Sequence, residues 1–159
     1  MKVIGIDPGL ASTGIGIIEG TYQRISSYSF CTITTPNTLS TPQRLQTIYE
    51  SLTTIFITEH PSLLILEDIF SLPTYPKSGI MLGKVCGIVL LACSQIDVSV
   101  FEIPVCEAKM ILTGNGRSNK QQLEQAVRHT LNRQEPIKPS HASDALALAL
   151  IGLFREYSS

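Results

Sequence analysis

No C-x-x-C pair occurs among the four cysteines (Cys31, Cys86, Cys93 and Cys106), and no histidine pair stands near any of them. That pattern argues against thiolate zinc sites and a disulfide framework. Reduced, mostly buried thiols in a cytosolic protein are expected instead. A charge excess of one sign is also missing: 12 basic residues face 13 acidic ones, for a net charge of −1. Any nucleic-acid binding must therefore come from a local patch. Long hydrophobic runs are absent too. The longest, Ala145–Phe154 and Val85–Cys93, are too short to span a bilayer. The chain begins directly with a strand-like apolar run, so no signal peptide is expected. What is there, 159 residues of which 43% are apolar and 16% charged, predicts one globular domain with a core that needs no cross-links.

Hydrophobic periodicity predicts the order β-β-β-α-β-α-β-α-α. Val3–Asp7 reads as a buried strand stopped by Pro8-Gly9, and Thr13–Ile18 as a second strand. Glu19-Gly20-Thr21 reads as a turn into a third strand, Arg24–Thr34. A helix follows, with Thr41 as its cap and Pro42 in its first position, and it ends at His60-Pro61. Leu63–Leu66 is an all-apolar strand, as in a sheet covered on both faces. Helices are expected at Ser78–Ser94, Val105–Leu112, Ser118–Leu131 (with a Ser118…Gln121 capping box) and Ser140–Tyr157, with a strand at Val98–Ile103. Three meander strands followed by alternating β and α argue for an α/β fold: a mixed five-stranded sheet, three strands antiparallel and two parallel, flanked by helices.

Two carboxylates close apolar strands: Asp7 and Glu67. Such strand ends are where open α/β sheets place their sites. Asp144 is expected in the first turn of the last helix, with His141 three residues earlier on the same face. Three carboxylates gathered from distant segments repel one another. A shared cation offsets that repulsion, and hard oxygen ligands suit Mg²⁺. The plainer reading makes Asp7 an Asx-type turn and Asp144 a helix-start charge.

The ordered motifs Ile4-Gly-Ile-Asp7-Pro-Gly9, Thr13-Gly14-x-Gly16, Leu66-Glu67-x-x-Phe70, Leu82-Gly83-x-x-x-Gly87, Lys109, Gly114-x-Gly116-x-x-x-Lys120 and His141-Ala-Ser-Asp144-Ala-Leu-Ala resemble the Holliday junction resolvase RuvC family over nearly the whole chain. The resemblance implies an RNase H-like fold and a cytoplasmic homodimer. It implies metal-dependent paired nicks in four-way DNA junctions during recombination and repair, leaving 5′-phosphate products. It implies branch-migration partners of the RuvA and RuvB type. Asp7, Glu67 and Asp144 are implied metal ligands. The family's fourth position is Asp or His, and here it is His141. An imidazole suits Mn²⁺ better than Mg²⁺, so Mn²⁺ is expected to substitute; His141 is alternatively an acid or base, or a plain hydrogen-bonding residue near the helix start. Two ions per subunit, bracketing the attacking and leaving oxygens, would suit in-line phosphodiester hydrolysis.

DNA contact needs cations that the net charge does not advertise. Residues 77–134 carry seven basic residues (Lys77, Lys84, Lys109, Arg117, Lys120, Arg128, Arg133) against four acidic ones. Arg117 and Lys120 stand at a predicted helix start, where the dipole disfavours cations unless a phosphate is present. The resemblance makes Lys109 and Lys120 backbone contacts. It makes Phe70 a residue that stacks on an unpaired base, with Tyr75 as weaker evidence for the same role. Gly79, Gly83 and Gly87 repeat every four residues. They imply that another backbone passes close, either the protein's own sheet or the same helix of a second subunit. The chain departs from the family at Cys86, where arginine is usual, and at Ile15, where an aromatic is usual. Rival readings are another RNase H-like nuclease, such as the pre-ribosomal-RNA processing type, and a non-catalytic junction-binding protein.

Overall fold

The computed structural model describes residues 1–68 and 76–155. Five strands, β1 (Lys2–Asp7), β2 (Ser12–Thr21), β3 (Arg24–Thr34), β4 (Leu63–Glu67) and β5 (Val100–Ile103), form one mixed sheet in the order β3-β2-β1-β4-β5. β1 pairs antiparallel with β2, and β2 with β3; β1 pairs parallel with β4, and β4 with β5. Five helices cover it: α1 (Thr41–Glu59), α2 (Pro76–Gln95), α3 (Val105–Thr113), α4 (Lys120–Thr130) and α5 (Ser140–Arg155). The expected architecture is therefore present.

Strand alternation divides the apolar residues between two cores. Ile4, Ile6, Ile15, Ile17, Leu64 and Leu66 pack with Ile48, Leu52 and Phe56 of α1 and Val85 and Val89 of α2. Val3, Ile18, Leu63 and Ile65 face the other way, onto α5, with Leu123 and Val127 of α4 behind it. Helix α5 is thus enclosed on all sides, and Ala142 through Leu153 are buried. This explains its nearly unbroken apolar sequence.

Glycine sets how close α5 comes. Gly5 and Gly16 are cross-strand partners, and so are Asp7 and Gly14. A Cβ on Gly5 would lie 2.0 Å from the Ala145 carbonyl oxygen, and one on Gly16 2.4 Å from the Leu146 nitrogen. One on Gly14 would lie 2.0 Å from the His141 carbonyl oxygen. Helix backbone therefore rests directly on strand backbone, an approach that only residues without a Cβ permit.

Several local expectations are corrected. Ser40, not Thr41, caps α1, because the Gln43 side chain accepts from the Ser40 N–H at 2.9 Å. Asn119, not Ser118, caps α4: its side chain accepts from the Gln122 N–H at 2.8 Å, while Ser118 is buried with its hydroxyl 3.0 Å from that of Thr113. Glu19-Gly20-Thr21 is not the turn. β2 runs through it with a register shift at Glu19/Gly20, where Gly20 takes φ 156° as a bulge, and the turn falls at Tyr22-Gln23. β5 begins at Val100 rather than Val98. Asp144 is the fifth residue of α5, beyond its first turn. Although the apolar runs are short, Lys77–Ser94 as a whole is long and apolar enough to cross a membrane by length and composition; one side of it packs into the core.

The glycine contact yields a test. Gly5→Ala and Gly16→Ala should each lower stability by about 2 kcal/mol or more, since backbone on both sides has nowhere to move. Denaturant unfolding measures this, and an unchanged midpoint for both would refute the close contact.

Candidate active site

The sheet brings the first two acids together by register alone. β1 and β4 are adjacent and parallel, with Ile6 opposite Leu66, so Asp7 and Glu67 end side by side. Asp7 shares a face with Val3, and Glu67 with Leu63 and Ile65, which is the face covered by α5. The third acid arrives from that helix. α5 rests on Gly14, the partner of Asp7, through its His141 turn. His141 Nδ1 lies 2.6 Å from Asp7 Oδ2, and donates to it when it carries the proton. Asp144, one turn later, accepts from Lys120 Nζ at 3.2 Å. The four sequence-predicted acidic and imidazole positions therefore gather at one end of the sheet.

Their electrostatics follow from burial. Asp7 is 7% exposed and Asp144 8% exposed. Asp7 is pushed up to about 6, first by burial and then by the charge of Asp144, with the Glu67 hydrogen bond and Lys120 pulling the other way. Glu67 is pushed up to about 8, first by burial, then by its hydrogen bond with Asp7 and the charges of Asp7 and Asp144. Burial and mutual repulsion therefore oppose the ionisation of both carboxyls near neutrality. Lys120 is held charged to higher pH, chiefly by Asp144. Among the described residues, its ammonium is the positive charge that acts on all three acids. Among the described residues, no three His, Cys, Asp or Glu side chains close around a single point as a finished ligand shell. The donor chemistry still fits a hard divalent cation: oxygen-rich, partly buried and unable to ionise fully on its own.

The surrounding residues sort by what they touch. Thr13, which opens the Thr13-Gly14-x-Gly16 motif, donates its hydroxyl to the Gly9 carbonyl at 2.8 Å and closes the loop after Asp7. Lys109 is half-buried on α3, and Arg117 is exposed in the loop before α4. Arg117 N–H donates to the Asn115 side chain at 2.9 Å, which fixes that loop. Neither cation forms an ion pair among the described residues. Arg128 and Arg133, in contrast, are structural. Arg128 pairs with Glu124 at 2.8 Å, and Arg133 lies over the Phe30 ring at 5.4 Å and reaches Glu135. Cys86 is buried, and burial followed by Glu102, Glu67 and Asp68 pushes its thiol up to about 12, so it stays neutral. Phe70 and Tyr75 lie outside the described residues.

The family profile of crossover junction endodeoxyribonuclease RuvC matches residues 3–152. A curated RuvC from Carboxydothermus hydrogenoformans is 37% identical over 155 residues, covering 98% of this chain and 97% of that protein. The solved Thermus thermophilus RuvC structure is 27% identical, with a TM-score of 0.83 over 99% of this chain and 96% of that one. A second solved structure, T. thermophilus RuvC in complex with a Holliday junction substrate, has a TM-score of 0.86 at 24% identity, covering 100% of this chain and 97% of that one.

The raised acids predict a stability profile. Each takes up its proton at a higher pH in the folded chain than in the unfolded one. Folding is therefore unpenalised below the ordinary values of 3.8 and 4.5 and loses stability as pH rises towards about 8. Melting in chelator should show Tm falling by a few degrees or more across that window, and Glu67→Gln should flatten the fall. A flat wild-type profile would contradict the crowding of these acids.

Proposed function

This chain belongs to the crossover junction endodeoxyribonuclease RuvC family, and on that premise we propose how its residues carry out the reaction. It is a metal-dependent endonuclease that resolves Holliday junctions. The observation that carries the residue assignment is the convergence of Asp7, Glu67, His141 and Asp144 with one lysine at the strand ends.

Asp7, Glu67 and Asp144 would hold Mg²⁺, two ions per subunit, with Mn²⁺ able to substitute. Bound there, the metal would supply Lewis-acid polarisation of the phosphodiester and lower the pKa of water. Glu67, which holds its proton to higher pH than an ordinary carboxyl, would release it as cation binds, leaving all three acids as ligands. Asp7 accepts the Nδ1–H of His141, which leaves the Nε2 lone pair basic, and Nε2 removes the proton from the attacking water. Lys120, whose side chain is mostly exposed beyond Asp144, meets the phosphate backbone. Lys109 and Arg117 make the neighbouring backbone contacts, and Phe70 stacks on a base at the crossover. The products are 5′-phosphate and 3′-hydroxyl ends, which a ligase can reseal. The reaction belongs to recombination and repair in the cytoplasm, with branch-migration proteins of the RuvA and RuvB type as partners.

A homodimer suits a two-fold junction, since two copies present two sites for paired nicks. The glycine stripe supports α2 as the contact. Nothing lies within 4 Å of a Cβ built on Gly83 or Gly87, so the chain's own sheet does not explain them. Ile80, 63% exposed, and Leu91, 49% exposed, share that outward side of α2 at helical spacing.

Three measurements test these readings. A labelled four-way junction, a linear duplex and an RNA hairpin are incubated with and without Mg²⁺; only the junction should be cut, and only with metal. Asp7→Asn, Glu67→Gln and Asp144→Asn should each abolish cutting and largely spare binding. His141→Ala should slow it roughly 10²-fold or more, with His141→Asp recovering Mg²⁺ activity better than alanine. An unchanged rate in His141→Ala would remove its proton-transfer role. Sedimentation should give a dimer, free or on junction DNA, and Leu91→Glu should shift it to monomer while the fold survives.

A further inference from the structure

A groove of about 700 Å³ shares Lys120, the partner of Asp144, with the acidic cluster. Lys120 and Gln121 of α4 line it, together with Pro136, Lys138, Pro139 and Ser140 from the connection into α5. The connection is fixed in place. Ile137 is buried, its N–H donates to Glu124 Oε1 at 2.9 Å, and the Ala142 N–H donates to the Pro139 carbonyl at 3.0 Å. Lys138 therefore projects from an anchored segment and is exposed. It forms no ion pair among the described residues. Glu124 also lines the groove, but its carboxylate is already held by Arg128 at 2.8 Å and by the Ile137 N–H. The uncompensated charges of the groove are thus Lys138 and the exposed part of Lys120.

We propose that this groove seats the sugar-phosphate backbone of a junction strand flanking the scissile phosphate, with Lys138 as a phosphate contact of its own. The inference rests on the nuclease reading above and adds a binding residue to it. Three features point to a DNA strand as occupant. The groove is continuous with the catalytic acids through the Lys120–Asp144 pair. Its free charges are both positive. Its polar groups at Gln121 and Ser140 are of the kind that bond phosphate and sugar oxygens without reading sequence.

Junction affinity is measured in chelator at several salt concentrations for wild type, Lys138→Ala, Lys138→Arg and Lys2→Ala. Lys2 lies at the start of β1, where it pairs with Glu59 at 3.0 Å, and serves as the control. Removing one phosphate contact should reduce the magnitude of the slope of log affinity against log salt by roughly 0.9. Lys138→Ala should show that reduction and weaken binding to every junction sequence alike. Lys138→Arg and Lys2→Ala should keep the wild-type slope. A wild-type slope in Lys138→Ala, or an equal loss in Lys138→Arg, overturns the assignment of Lys138 while leaving the nuclease reading intact. A wild type that neither binds nor cuts the junction overturns the nuclease reading itself, and this proposal with it.

Discussion

The contact of α5 with the β1–β2 pair governs everything else in this molecule. Gly5, Gly14 and Gly16 let helix backbone meet strand backbone. Without that approach, α5 would stand off the sheet by the thickness of a side-chain layer, about 10 Å between axes as in ordinary packing. His141 would then not reach Asp7, and Asp144 would not join the acids of β1 and β4. The same closeness suits small residues on the contacting face of the helix, where Ala145 and Ala149 meet Gly5. Site geometry and core packing are one constraint here. The glycines cost backbone entropy in the strands and return a fixed placement for His141 and Asp144.

A second consequence is electrostatic. Bringing three carboxylates to a partly buried sheet edge opposes their own ionisation. The chain relieves this by holding protons on Asp7 and Glu67 to higher pH than usual and with the Lys120 ammonium. Neither measure fully neutralises the cluster. The imbalance favours divalent cations, because each ion gained lets a proton leave. Metal dependence thus follows from how the acids are packed, quite apart from the chemistry performed there.

Much of this was legible in the sequence because it depends on strand ends and register. Asp7 and Glu67 are found by asking which polar residue stops an apolar strand, and the parallel pairing of β1 with β4 does the rest. His141 and Asp144 were placed on one face of the last helix by their spacing, but their nearness to Asp7 was not legible that way, since it is set by a tertiary contact. A signal for that contact was present: glycine inside a strand often marks a close backbone approach, and Gly5, Gly14 and Gly16 all sit in strands. The misread boundaries have local causes. Gly20 looked like a turn but is a bulge, because strand pairing continued past it. Ser118 looked like a cap, yet its hydroxyl was claimed by Thr113 and the role passed to Asn119. Gly83 and Gly87 admitted two readings in sequence, and the open space over both removes the protein's own sheet as the reason for them.

The near-neutral composition is consistent with a DNA enzyme once the cations are sorted by partner. Arg128 and Arg133 spend their charge inside the protein, on Glu124 and on Phe30 and Glu135. Lys109, Arg117 and Lys138 have no such partner among the described residues. At physiological salt, charges act over about 8 Å, so a phosphate responds to its near neighbours and not to the molecular total. The acids make this locality essential. An approaching phosphodiester is repelled by Asp7, Glu67 and Asp144 unless cations stand between. Lys120 meets both needs, quieting Asp144 on one side and facing solvent on the other. Its charge therefore steadies the acids and, on the proposed function, also draws in substrate. The two contributions are separable, because the first is felt without DNA and the second only through the salt dependence of binding.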